Sequence, residues 1–167
     1  MIKLFSEKRE KLKELNIEDN MIVSPAAGIE IPLSEVNDPV FSKGTMGEGI
    51  AFRYDGNDVM VCSPANGNLS MVFPTGHAFG ITMKSGVEVM IHIGIDTVES
   101  NGEGFRILIP EGRTVRAGQP IIKASMSMLE RKYDMTTMLI ITNANDHKVE
   151  FEDKEEVKRG TLVAAVI

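Results

Sequence analysis

The amino-acid sequence predicts an all-β fold: an antiparallel β-sandwich or flattened barrel with pseudo-duplicated hybrid-motif corners, preceded by a short N-terminal amphipathic helix. Three observations carry that expectation. From Met21 onward the chain is built of short apolar runs rich in Val, Ile, Phe and Thr, cut about every eight to twelve residues by Gly, Pro, Asn or Asp, the texture of strands and turns. Two segments recur. Val23-Ser24-Pro25-Ala26-Ala27-Gly28 returns as Cys62-Ser63-Pro64-Ala65-Asn66-Gly67, and Val115-Arg116-Ala117-Gly118 returns as Val157-Lys158-Arg159-Gly160, which implies a repeated supersecondary unit. In each Ser-Pro-Ala copy the Pro ends a strand, because it offers no N–H to a ladder, and the Gly admits a tight turn. Thirdly, only 127–134 has a helical look inside the body of the chain.

Taken in order, residues 1–15 place Ile2, Phe5, Leu12 and Leu15 on a heptad-like spacing with Lys8, Arg9, Lys11 and Lys13 between them. That pattern predicts a short amphipathic helix packed on the surface, with weak peripheral contact to an anionic membrane as the alternative. Residues 1–20 are read as an N-terminal segment and 21–167 as a single domain. Candidate strands lie at 49–54, 58–63, 68–73, 77–83, 87–95, 105–109, 121–125, 138–142 and 162–167. The acidic stretch 150–156 reads as a solvated edge or turn.

Composition removes several classes of function. With 18 Lys+Arg against 24 Asp+Glu the formal net charge is −6, which argues against sequence-independent binding to a phosphodiester backbone. Cys62 is the single cysteine, so no intrachain disulfide framework is available. The apolar runs fall short of the roughly 20 residues of a membrane-spanning helix. The first fifteen residues mix both charge signs and lack the continuous apolar core of a secretory signal. A cytoplasmic monomer is the expectation.

Two of the three histidines share one local pattern. His147 lies in a polar loop segment, whereas His77 opens the run HAFGITM and His92 sits inside GVEVMIHIGI, with Lys84-Ser85-Gly86 between the runs. This reads as a hairpin. A two-residue Lys84-Ser85 turn would pair His77 with His92 directly; a Ser85-Gly86 turn would pair His77 with Gly94 and keep both imidazoles on one face. Only an odd-residue loop or a bulge would separate them. Phe79 and Met90 would share that face with Phe73 nearby, and Val87, Val89, Ile91 and Ile93 would point into the core. Two imidazoles in an apolar setting cannot both be charged, so at least one stays neutral near pH 7 and presents a lone pair. That state suits phosphoryl acceptance or metal binding.

The segment from Gly86 through His92 to Val98, GVEVMIHIGIDTV, followed by Asn101-Gly102-Glu103-Gly104-Phe105, resembles the phosphorylation-site signature of the glucose-type enzyme IIA proteins of the bacterial phosphoenolpyruvate-dependent sugar phosphotransferase system. Upstream, Phe73-Pro74-Thr75-Gly76-His77-Ala78 resembles that family's second-histidine segment, and Asp38-Pro39-Val40-Phe41 with Met46-Gly47-Glu48-Gly49 resembles its surface strip. The resemblance runs from about Met21 to the C-terminus and implies an antiparallel β-sandwich. It implies that His92 carries the phosphoryl group on Nε2, that His77 steadies the phosphate, and that Thr75 orients His77. It further implies an apolar docking rim of Val40, Phe41, Met46, Phe73, Met90 and Val98, with Asp38 and Asp96 as acidic contacts for a basic carrier. Ser100 stands where leucine is usual. The implied partners are the histidine-containing phosphocarrier protein (HPr) and an enzyme IIB domain of a sugar permease, with regulated transporters or enzymes as further partners. No cofactor is required, although Zn²⁺ held by His77 and His92 with a partner's carboxylate is compatible with such an interface. The sugar is set by the membrane component.

Two rival readings are weaker. A metal-dependent hydrolase would use His77, His92 and Asp96 as ligands, but no His-x-His or His-Glu-x-x-His element is present. A swinging-cofactor carrier would need a lysine where Ser127 lies between Met126 and Met128.

Overall fold

The structure, a computed structural model, describes residues 14–167. The helix expected over 1–15 falls almost wholly outside the described residues, and Glu14 and Leu15 belong to no helix. Leu15 N–H donates to the Ala117 carbonyl (2.7 Å) and Asn66 Nδ2 donates to the Ile17 carbonyl (3.1 Å), so the chain before the first strand lies on the body.

Fourteen strands occur among the described residues: β1 Met21–Val23, β2 Gly28–Pro32, β3 Glu48–Tyr54, β4 Asp58–Cys62, β5 Gly67–Val72, β6 Ala78–Thr82 and β7 Glu88–Ile93 come first. They are followed by β8 Phe105–Ile107, β9 Thr114–Val115, β10 Pro120–Ser125, β11 Thr137–Asn143, β12 Val149–Phe151, β13 Glu156–Val157 and β14 Leu162–Val166. All nine expected strands are present within a few residues. The five additional ones, β1, β2, β9, β12 and β13, are two to five residues long, too short to carry a period of their own. Segment 150–156 does lie on edges: β12 ends a sheet, as does β13.

One eight-stranded sheet runs β13-β2-β3-β11-β7-β6-β5-β9; two three-stranded sheets run β1-β14-β12 and β4-β10-β8. Every pairing is antiparallel. The large sheet reads as a palindrome, with β13, β2, β3 and β11 on one side matching β9, β5, β6 and β7 on the other. The duplication foreseen from the two echoes is therefore topological, with β4 to β10 forming one half and β1 to β3 with β11 to β14 the other. The Ser-Pro-Ala corners grip each other: Val23 N–H donates to the Pro64 carbonyl (2.8 Å) and Cys62 N–H to the Pro25 carbonyl (3.0 Å). Within each, the serine hydroxyl closes the turn at 2.7 Å, Ser24 onto Ala26 and Ser63 onto Ala65. The second echo docks on the first, since Gly160 N–H donates to Ser24 O (3.0 Å) and Gly118 N–H to Ser63 O (2.9 Å).

The main core fills the space between the sheets and takes Phe52, Leu69, Phe79, Val89, Ile91, Ile93, Ile122 and Leu139. A second apolar cluster covers the outer face of the large sheet, where Met90, Met138 and Ile140 meet Ile31, Leu33, Val36 and Phe41. Strand β11 explains its own sequence by this arrangement: it is central, both its faces are covered, and it reads as a continuous apolar run instead of alternating. The cover over the outer face is a 3₁₀ turn, Leu33–Glu35, followed by helix α1, Pro39–Ser42. Asp38 caps α1 by accepting the Val40 N–H (3.0 Å), and Pro39 at the first helical position costs no hydrogen bond. Neither element was expected from the sequence. The helix expected at 127–134 is shorter and earlier, α2 Met126–Leu129. Among the described residues no helix is long and apolar enough to cross a membrane.

Candidate functional site

The β6–β7 hairpin brings the two histidines together, but by another route than direct pairing. Its connection is the odd three-residue loop Lys84-Ser85-Gly86: Met83 N–H donates to the Val87 carbonyl and Gly86 N–H to the Met83 carbonyl, both at 2.9 Å, with Gly86 at φ +88°. The register therefore places Ala78 opposite His92 and Phe79 opposite Ile91. Both two-residue turns weighed from the sequence are corrected. Phe79 consequently belongs to the main core, on the opposite face from Met90. His77 precedes the strand and is freed from its alternation by the turn Phe73 to Gly76, closed by Gly76 N–H on the Phe73 carbonyl (2.8 Å). Its ring swings to His92, with centroids 5.1 Å apart and planes at 79°.

His92 Nδ1 lies 2.8 Å from the Gly94 carbonyl oxygen. A carbonyl only accepts, so Nδ1 carries the proton and the neutral ring keeps its lone pair on Nε2. Phe41 packs its ring against His92 at 4.9 Å. Burial pushes the His92 imidazole below its ordinary range, opposed by the Gly94 hydrogen bond and by the charges of Asp38 and Asp96. Burial also pushes His77 down, to about 4, with His92 as the second cause. Both rings are thus neutral near pH 7. His77 Nδ1 is 2.6 Å from the Thr75 hydroxyl, and Phe73 covers its ring at 5.0 Å. His77 is buried, while His92 is only partly so.

Of the apolar side chains expected on the docking rim, Val40, Met46, Phe73 and Val98 are exposed by 38 to 51%, and Phe73 lies against the His77 ring. Phe41 and Met90, each 6% exposed, are buried in the second cluster and are not on an open rim. Asp38 is half-buried as the α1 cap, and Asp96 is exposed at the start of a 3₁₀ turn, Thr97–Ser100. Sequence reasoning did not single out Gly94 or the exposed Ile107, which lies beside the turn that carries His77: a Cβ on Gly76 would stand 3.5 Å from its side chain. Gly94 had a signal, its place two residues after His92. His147 is an exposed loop residue. Among the described residues no group of three His, Cys, Asp or Glu side chains gathers as a metal site, so Asp96 does not complete a site with the two histidines. Nor do residues 115–128 form a lone protruding hairpin: β10 is central in its sheet, between β4 and β8.

Comparison with known proteins identifies the family and the fold. The family described as phosphoenolpyruvate-dependent sugar phosphotransferase system, EIIA 1, matches residues 20–147. The fold is similar to that of glucose permease IIA from Mycoplasma capricolum, with a TM-score of 0.80 and 36% sequence identity over 91% of this chain and 95% of that one. A match over that span, to a chain folded in the same way, leads to one conclusion: this chain belongs to the EIIA 1 family of the phosphoenolpyruvate-dependent sugar phosphotransferase system and is a phosphotransferase component of sugar transport.

Proposed function

We propose that the chain is a phosphocarrier in which His92 Nε2 accepts a phosphoryl group from HPr and passes it to an enzyme IIB domain of a sugar permease. The observation that carries this reading is the 2.8 Å contact between His92 Nδ1 and the Gly94 carbonyl, made beside the His77 ring. It leaves Nε2 as an unprotonated nucleophile. In the forward step the Nε2–P bond forms as the donor's N–P bond breaks, and the donor nitrogen keeps the electron pair. The onward step reverses those roles toward the acceptor. Because the transition state is loose, the protein's work is alignment of the nucleophile and donation to the equatorial oxygens. With the Thr75 hydroxyl donating to His77 Nδ1, the other ring nitrogen of His77 holds a proton for a phosphoryl oxygen. Val40, Met46, Phe73 and Val98 exclude water and give partners a flat apolar seat, with Asp38 and Asp96 facing a basic carrier. Such sequential docking suits transient interfaces.

The same reading places the protein in the cytoplasm as a monomer. A phosphate dianion on His92 would disfavour apolar partners, which allows regulation by phosphorylation state. The two imidazoles are neutral and suit Zn²⁺, but they offer two nitrogens where zinc takes about four ligands, so a partner would have to supply the rest. The test is intact-protein mass after incubation with phosphoenolpyruvate, enzyme I and HPr. One acid-labile phosphoryl adduct on wild type and His77→Gln, absent from His92→Gln, is expected. Absence of any adduct on wild type with competent partners would overturn the reading.

A further inference from the structure

We propose that Thr97 is a positioning residue for His92: its hydroxyl and methyl hold Gly94 in the one conformation that aims the Gly94 carbonyl at His92 Nδ1. The kinetic consequence rests on the phosphocarrier reading; the structural claim does not.

The β7 ladder ends in an unusual way. Ile93 N–H donates across the hairpin to the His77 carbonyl (2.7 Å), but the Ile93 carbonyl takes its hydrogen bond from the buried Thr97 hydroxyl. Gly94 sits at φ +80°, Asp96 at +58° and Asn101 at +54°, and left-handed residues placed so close together are held only where surrounding contacts over-determine them. Gly94 has such contacts on both sides. A Cβ added there would stand 2.5 Å from Thr97 Cγ2 and 2.9 Å from Met135 Sδ. On the far side Ile95 N–H donates to the Asp134 carbonyl (2.8 Å), and Asp134 Oδ1 accepts from both Thr136 N–H (3.0 Å) and its hydroxyl (2.7 Å). Gly94 is thus clamped between the Thr97 side chain and the loop leading into β11.

The peptide between Gly94 and Ile95 supplies the carbonyl that His92 reads. Rotate it, and Nδ1 loses its acceptor. A histidine in water prefers its proton on Nε2, the nitrogen that must be bare for the transfer, so the clamp works against the ring's own preference. Thr97 never touches the phosphoryl group; it acts through Gly94.

The tautomer can be read directly in the free, unphosphorylated protein, with no partner present, from long-range ¹⁵N–¹H correlation of the His92 ring. Wild type should show the Nδ1–H form. Thr97→Val, which keeps the methyl and removes the hydroxyl, should shift the tautomer ratio toward Nε2–H by about fivefold, the size of one neutral hydrogen bond, and slow phosphoryl uptake from HPr in proportion without raising KM. Thr97→Ser should keep the wild-type ratio. An unchanged ratio in Thr97→Val, or an equal shift in Thr97→Ser, would overturn the proposal even if wild type is phosphorylated normally. Should Thr97→Val fail to fold, the wild-type hydroxyl proton decides: slow exchange supports the clamp, and exchange as fast as that of the Thr82 hydroxyl, which donates to the Ser70 hydroxyl at an exposed site (2.9 Å), overturns it. Loss of the phosphoryl adduct with an intact tautomer effect would instead strike the carrier reading alone.

Discussion

Ala78 stands opposite His92 in the β6–β7 ladder, yet the ring that His92 touches belongs to the preceding residue, His77. The contact is therefore made by a turn residue reaching toward a strand residue and is not enforced by strand pairing. It depends on the Phe73 to Gly76 turn, on the Thr75 hydroxyl and on the cover that Phe41 and Phe73 place over the rings. Burial beneath that cover disfavours the charged form of both rings.

Acid should destabilise the unphosphorylated protein through this pair. Folding lowers both pKa values, so the unfolded chain binds protons that the folded chain refuses. The sign follows: the histidine contribution is constant above about pH 6.5, and stability falls as pH drops through the window from 6.5 down to about 4 for His77. Each proton withheld costs about 1.4 kcal/mol per pH unit inside that window. His92 acts in the same direction. Urea unfolding across the window measures it, and His77→Gln should flatten the slope. A variant that keeps the full wild-type slope would show that His77 does not titrate in this way.

Much of this was legible in the sequence. Ser24-Pro25-Ala26 and Ser63-Pro64-Ala65 announced the duplicated corners because a Pro that ends a strand is local chemistry, whereas the serine hydroxyls that close the turns were not singled out. His77 and His92 were legible as neighbours, but their register was not, since it depends on whether Lys84-Ser85-Gly86 makes a two- or three-residue loop. Phe41 was legible as part of the site strip and misplaced on its rim. Its burial against His92 and Met138 follows from α1 folding over the outer face, a tertiary event with no sequence period behind it. The same holds for Thr97, whose partner is a carbonyl at the end of a ladder.

Thr75 should matter for rate more than for stability. Thr75→Val leaves His77 Nδ1 without its 2.6 Å hydroxyl partner, so the His77 ring loses both its orientation and its assigned proton. Phosphoryl uptake should fall about tenfold, the upper size of one lost neutral hydrogen bond, while Thr75→Ser retains the rate. Single-turnover transfer from phosphorylated HPr reads this. A wild-type rate in Thr75→Val would remove Thr75 from the site.

The exposed and buried members of the expected docking set should separate cleanly. Val40→Ser and Val98→Ser change side chains that are 48% and 51% exposed, so stability should move by no more than about 0.5 kcal/mol. Transfer from HPr should lose affinity, seen as a raised KM at unchanged kcat. Phe41→Ala removes a side chain that is 6% exposed and packed on His92, and should cost about 3–5 kcal/mol. Equal stability losses at Val98 and Phe41 would contradict the burial that distinguishes them.

The two Ser-Pro-Ala corners should respond alike to the same deletion. Ser24 and Ser63 are both buried, both close their turn onto the carbonyl two residues ahead at 2.7 Å, and both accept a glycine N–H through their own carbonyls. Ser→Ala at either position strips a buried carbonyl, that of Ala26 or Ala65, of its hydroxyl donor, at a cost of about 1–2 kcal/mol. The double variant should not be the simple sum, because the corners share the reciprocal bonds Val23 to Pro64 and Cys62 to Pro25, and contacting sites couple. Loosening one corner weakens the grip on the other, so the second deletion should cost less than the first. Urea unfolding of the two single variants and the double gives the coupling term at constant m-value. A large loss at one serine with none at its counterpart would mean that the two halves share a topology without sharing their energetics.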